Sequence, residues 1–277
     1  MVEKIGLIAG GGQFPLIFAR RARQKGYRVY AAGYRKETDP GLKELVENLE
    51  WFHLGQISKL IKYFKDHHVS RAVMMGTIGK VRMFSDLKPD MKAIAMVARM
   101  RHTHDDNVLR AFADTLEKAG IRIKPSTFLL PEMLAPAGCW TRRKPSRAEK
   151  KDIRFGWKIA KEIGRLDIGQ CIVAAGGTVL AVEAIDGTDS TIERGGRLGK
   201  GQAVVIKICK PNQDFRFDVP AVGPGTIETM AAAGAKVLAV EAGKAVVFDR
   251  EEMIAKADEA SIAIIAVDDT AFERGSI

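Results

Sequence analysis

The chain has 277 residues, enough for two domains or one large one, and its 46% apolar and 28% charged content marks a globular protein and excludes intrinsic disorder. Three cysteines, Cys139, Cys171 and Cys209, are odd in number and lack metal-ligand spacing, so no disulfide framework is expected and a reducing compartment is the simplest setting. The net charge of +10 is lopsided: Lys and Arg outnumber Asp and Glu 23 to 14 through Trp140 but 21 to 20 beyond it, so the first half should attract an anion, whether nucleotide, phospholipid surface or nucleic acid. No secretory pattern opens the chain, and the longest apolar run, 171–182, is shorter than the roughly 20 residues that span a bilayer.

Residues 4–9 predict a strand, Gly10-Gly11-Gly12 breaks it, and Pro15 opens an amphipathic helix with Phe14, Ile17 and Phe18 inward and Arg20, Arg21 and Arg23 outward. A second strand follows over 27–32, a helix is marked by Ile57, Leu60, Ile61 and Phe64, and a third strand covers 71–75. Val108, Leu109, Phe112, Ala113 and Leu116 spell another helix, with Gly120 just past its end. Strands alternating with helices predict a parallel, doubly wound sheet, so the fold class is α/β with a Rossmann-like N-terminal domain. Periodicity fails between Pro131 and Arg147, beside the basic cluster Arg142-Arg143-Lys144, and the domains are placed at 1–136 and 145–277. The second domain, also α/β, reads as β-runs at 171–175, 178–183 and 203–208, then strands at 236–241, 245–248 and 261–267 around a helix at 251–260.

In open α/β sheets ligands sit beyond the carboxyl ends of the strands, and a glycine turn entering a helix offers backbone N–H groups to a phosphate. Gly11, Gly12 and Gln13 are therefore candidate binding residues, with Thr77 and Lys80 of the loop after the third strand facing the same crevice; a tight turn without a ligand is the competing explanation. Pro15 stands where the third glycine of a dinucleotide fingerprint would fall, and Arg35-Lys36 occupies the place of a ribose-binding acid, so NAD is disfavoured while another phosphate remains allowed. His102 and His104 lack further zinc ligands; Asp105 and Asp106 suit a helix start, and magnesium, which needs one or two carboxylates beside substrate phosphates, stays open. In the second half, Glu183, Asp186 and Asp189 surround Gly187 and Thr188, and Asp214, Arg216 and Asp218 would share one face if 210–220 is a strand. Gln170 and Lys210 complete the candidate substrate-binding set.

Four segments in this order, 8–15, 105–110, 182–189 and 210–220, make the chain resemble the UDP-2,3-diacylglucosamine pyrophosphatase family of lipid A synthesis, in its form unrelated to the metallophosphoesterases, over about residues 1–269. The resemblance implies a magnesium-dependent hydrolase that splits UDP-2,3-diacylglucosamine into UMP and 2,3-diacylglucosamine 1-phosphate by water attack on the β-phosphorus. It further implies a substrate chamber between the two domains. The family's catalytic Asp of an Asp-(Val/Leu)-Pro segment falls on Asp218. Asp218, Asp189 and Asp186 are the expected catalytic carboxylates, and Asp218 and Asp106 the expected Mg²⁺ ligands. The expected location is cytoplasmic, peripheral on the inner-membrane surface, with a homodimer allowed and nucleic acid not among the partners. Two readings compete: a nucleotide-dependent oxidoreductase, and a non-enzymatic anion or membrane-surface binder.

Overall fold

The computed structural model describes residues 2–78, 87–98 and 105–269, Asp105 and Asp106 by backbone alone. The chain divides into two compact units, Met1–Pro131 with Asp214–Asp218, and Glu132–Gln213 with Val219–Ile277. Both are α/β. No helix among the described residues is long and apolar enough to cross a membrane.

In the first unit β1 (Lys4–Ala9) leads through α1 (Phe14–Gln24) to β2 (Arg28–Tyr34), then β3 (Asn48–Phe52), α2 (Ile57–Asp66), β4 (Arg71–Met75), α3 (Met91–Ala98), α4 (Asp105–Lys118) and β5 (Arg122–Lys124). The five strands are all parallel in the order β3-β2-β1-β4-β5. β1, β2 and β4 are buried along nearly their whole length, as expected of strands covered on both faces. Ile8, Tyr30, Ala32, Ala72 and Met74 meet Leu60, Ile61 and Phe64 of α2 and Ala113 and Leu116 of α4. On α1, Phe18 is buried while Phe14 and Ile17 are half-buried.

The second unit begins inside the stretch read from sequence as a boundary. β6 (Gly138–Cys139) pairs antiparallel with the last strand, so residues 132–144 belong to this unit. α5 (Arg147–Arg165) follows, then β7 (Cys171–Ala175), β8 (Thr178–Val182), α6 (Gly187–Leu198), β9 (Val204–Lys207), β10 (Ala221–Val222), α7 (Pro224–Ala233), β11 (Val237–Glu241), β12 (Val246–Val247), α8 (Arg250–Glu259) and β13 (Ala263–Val267). The main sheet runs β6-β13-β11-β9-β7-β8, with β10 and β12 forming a separate parallel pair. Ile153, Trp157 and Ala160 of α5 cover one face of the main sheet, and Ile192, Ile227, Met230 and Met253 of α6, α7 and α8 the other.

Sequence reading did not anticipate α5, although Ser146 and Glu149 form a reciprocal capping box at its start. Its buried stripe mixes Ile153 and Trp157 with Gly156, Ala160 and Gly164, and such small residues blunt the apolar period.

The loops after β1 and β4 touch backbone to backbone. Gly11 N–H donates to Thr77 O (2.7 Å), Thr77 N–H to Gly11 O (3.1 Å) and Gly10 N–H to Met75 O (2.8 Å). A Cβ on Gly10 would stand 2.6 Å from Thr77 O, and one on Gly76, whose φ is +90°, would stand 2.6 Å from Gly11 O. Gly76→Ala should therefore destabilise the first unit by about 1–3 kcal/mol through overpacking and backbone strain. Urea unfolding followed by far-ultraviolet circular dichroism checks the value, and an unchanged midpoint would show that the loops separate freely.

Candidate active site

The contact between the two glycine-bearing loops spends the Gly10 and Gly11 amides on protein carbonyls, so they are not offered to a ligand as the turn by itself suggests. Gly11 and Thr77 are brought together, but by pairing with each other. A groove of about 800 Å³ lies instead at the carboxyl ends of β1, β2 and β3, lined by Gly12, Gln13, Arg35, Lys36, Glu37 and Trp51 among others. Thr38 shapes it: buried, it accepts from Tyr34 N–H (2.8 Å) and donates to Ala9 O, tying the loop after β2 to the end of β1. Arg35 and Lys36 sit at the end of β2, where a dinucleotide fold carries its ribose-binding acid, and they offer donors to an anion beside Glu37 and Asp39 of the same lining. Lys80 lies outside the described residues, as do His102 and His104.

Residues 208–220 leave the end of β9 and return at β10, forming an arch whose middle, Asp214–Asp218, packs as part of the first unit. From sequence this segment reads as extended, and as a strand it would place Asp214, Arg216 and Asp218 on one face; the structure has a turn. Phe217 N–H and Asp218 N–H both donate to Asp214 O (3.2 and 3.0 Å), while the Asp214 side chain accepts from Arg216 N–H (3.1 Å). Asp is suited to this, because its short carboxylate satisfies the turn amide two residues on. Arg216 Nε and Nη2 grip the Asp214 carboxylate at 2.7–3.1 Å, and Nη1 reaches Glu117 Oε1 (3.3 Å) and Asp114 Oδ1 (3.8 Å) on α4. Ser126 N–H donates to Phe215 O (3.1 Å), and Phe217 packs against the first unit's core. Asp218 is half-buried on this clamped turn.

In the second unit a hydrogen-bonded chain gathers three of the sequence-selected residues. Thr188 Oγ1 donates to Glu183 Oε1 (2.7 Å), Gln170 N–H donates to Glu183 Oε2 (3.0 Å), and Gln213 Nε2 donates to Gln170 Oε1 (3.4 Å). Lys210 N–H donates to Gln213 Oε1 (2.8 Å), and its ammonium pairs with Asp167 (2.8 Å). The organisers, Glu183 and Gln213, are both buried. Asp186 precedes α6 and is held by Arg194 (2.6 Å), whose hydrogen bond keeps its carboxyl below the ordinary carboxylate range. A carboxylate so held is a weak base. Asp189 is exposed in the first turn of α6. Asp186 and Asp189 belong to the second unit and Asp218 to the first.

Among the described residues no three Asp, Glu, His or Cys side chains converge as a metal cage. Magnesium needs none, since it takes one or two protein carboxylates together with substrate phosphates. The hard carboxylate oxygens of Asp218 fit that requirement, whereas Asp214 is committed to Arg216. Asp106, the second expected ligand, lies on α4, its side chain outside the described residues.

Two α/β units, a groove at the carboxyl edge of a parallel sheet lined by side chains of both charges, and a clamped, carboxylate-bearing arch define a two-domain α/β protein. Residues 4–133 match the LpxI N-terminal domain and residues 136–265 the LpxI C-terminal domain. The chain is 33% identical over 278 residues to the UDP-2,3-diacylglucosamine pyrophosphatase LpxI of Caulobacter vibrioides, covering 96% of this chain and 98% of that protein. It belongs to the LpxI family. Among solved structures, the ADP complex of the N5-carboxyaminoimidazole ribonucleotide synthetase purK aligns at 12% identity over 79% of this chain and 48% of that one, with a TM-score of 0.30. The biotin carboxylase domain of the Hydrogenobacter thermophilus 2-oxoglutarate carboxylase aligns at 14% identity over 64% and 36%, with a TM-score of 0.28. The chain spans less than half the length of either.

The Arg216 guanidinium, above all by hydrogen bonding, holds the Asp214 carboxyl below its ordinary value. A depressed folded-state pKa stabilises the fold fully above the unfolded value, near 4, and is lost as pH falls through the folded value. Asp214→Asn should therefore lower Tm at pH 7, with the gap to wild type closing below about pH 4. Thermal scans across that range check it; a gap independent of pH would mean that the charge contributes nothing.

Proposed function

We propose that this chain hydrolyses the diphosphate of UDP-2,3-diacylglucosamine. Near full-length similarity to a protein of that name carries the reading, since both domains and the Asp218 segment fall within it. Water attacks the β-phosphorus, a new P–O bond forms, and the bond from that phosphorus to the bridging oxygen breaks, releasing UMP and leaving 2,3-diacylglucosamine 1-phosphate. Asp218 orients the water and accepts its proton, and it is the residue that would hold Mg²⁺ were the ion bound, with Arg216 and Asp214 keeping its turn rigid. Bound Mg²⁺ would neutralise charge on the diphosphate. The Arg35–Lys36 groove takes the uridine nucleotide. The basic excess of the first half and the exposed Met91, Ile94 and Val97 of α3 support peripheral contact with lipid.

UMP should quench Trp51 fluorescence, and Arg35→Ala should weaken that binding by about tenfold, the scale of one charge-assisted contact. Trp51→Phe identifies the reporter; unchanged affinity in Arg35→Ala would move the nucleotide elsewhere.

Asp218→Asn keeps the side chain's shape but removes its charge. With UDP-2,3-diacylglucosamine and Mg²⁺, kcat should fall by about a hundredfold or more while KM changes little, because a carboxylate that orients water acts on the transition state. Near-normal turnover would remove Asp218 from the chemistry. In ¹⁸O-water the label should enter the sugar 1-phosphate; label in UMP would mean attack on the α-phosphorus.

A further inference from the structure

β9 is the apolar run Val204-Val205-Ile206 closed by Lys207, whose side chain stays only 8% exposed. Alternation puts Lys207 on the same face as Val205, which lies in the core beneath α6, α7 and α8. Its ammonium donates to the main-chain oxygen of Ala221 at 2.9 Å, and no ion pair of Lys207 is present among the described residues. Burying an ammonium against one neutral carbonyl is costly, and an apolar residue would serve the sheet better. What the bond does is close a loop. Lys207 is the last residue before the arch and Ala221 the first after it, so the contact joins the two feet of 208–220.

The outgoing limb has its own anchor. Cys209 N–H donates to Glu241 Oε2 (2.8 Å), and Glu241, 1% exposed, is neutralised by Lys161 (2.7 Å) and Lys244 (2.6 Å). The returning limb is held by Val246 N–H on Pro220 O (2.7 Å) and by Lys207. Asp218 lies three residues before Ala221, so this foot is the nearest second-unit anchor along the chain to the turn that carries it.

We propose that Lys207 is a positioning residue for the reaction, fixing the returning limb of the arch so that Asp218 is presented in one conformation. The inference rests on the assignment of Asp218 above. It is tested on the full chain with UDP-2,3-diacylglucosamine and Mg²⁺. Lys207→Met should lower kcat by about tenfold or more with KM within about threefold, and Lys207→Arg, which keeps a charged donor, should recover most of that loss. If Lys207→Met does not fold, Lys207→Gln, whose amide is one bond too short to reach Ala221 O, is read by the same criterion. The control is Asp152→Asn. Asp152 holds the Gly176 and Gly177 amides (3.0 and 2.7 Å) at the opposite end of the sheet, so this variant should lose Tm but keep kcat in its folded fraction. Hydrogen exchange in 208–220 should rise in Lys207→Met and not in Asp152→Asn. A kcat within twofold of wild type in Lys207→Met, or a loss confined to KM, would overturn the positioning role. Absence of turnover in the wild-type chain would instead overturn the proposed reaction, and this inference with it.

Discussion

Arg216 donates to Asp214 within its own turn and to Glu117 on α4, and through these bonds five residues emitted by the second sheet fold as part of the first unit. The clamp is chemically suited to the task. A planar guanidinium grips one carboxylate with a parallel pair of donors and still has a donor left for a second, which a lysine cannot do. Half-buried, it is also less screened than a surface pair. The Ser126–Phe215 main-chain bond and the packing of Phe217 add to the clamp on the turn that carries Asp218.

A second constraint acts at the glycine loops. Close approach of 10–11 and 76–77 consumes two of the amides that a glycine-rich turn otherwise offers to phosphate. The open concave surface then falls one strand over, at the ends of β2 and β3. There the side chains are Arg35, Lys36 and Trp51 rather than main-chain donors alone. Glycine thus serves packing first, and charged and aromatic side chains line the concave surface next to it.

The second unit shows how a sheet edge can hold an extended excursion. Its parallel strands β9, β11 and β13 end at one edge, where Glu241 with two lysines meets Cys209 and where Lys207 meets Ala221. Both anchors place charge in buried surroundings. In the first the charge is compensated by opposite charge; in the second, among the described residues, the hydrogen bond is to a carbonyl oxygen.

The parallel sheet of the first unit was legible because its strands are continuous apolar runs between helices of clear 3.6-residue period, as in β1, β4 and α2. The carboxylates at 186 and 189, the polar set at 170, 188 and 210, and Asp218 stand out in the sequence as candidates, and the resemblance to a family was carried by the order of the segments 8–15, 105–110, 182–189 and 210–220 along the chain. Sequence did not reveal α5, whose small core-facing residues hide its period although Ser146 and Glu149 announce its start. Nor did it reveal that β6 joins the second sheet, because two residues between prolines carry no periodicity. The arch could not be read as a turn, since alternation of Asp, Phe, Arg, Phe and Asp is also the pattern of a half-buried strand. Local pattern determined which residues are apolar, which are charged and where the chain can bend. Only the tertiary structure decided that Arg216 spends its charge on Asp214 and α4, that Gly11 pairs with Thr77, and that Lys207 closes the arch. Each of those bonds joins groups whose pairing depends on distance in space, which side-chain spacing along the chain does not encode.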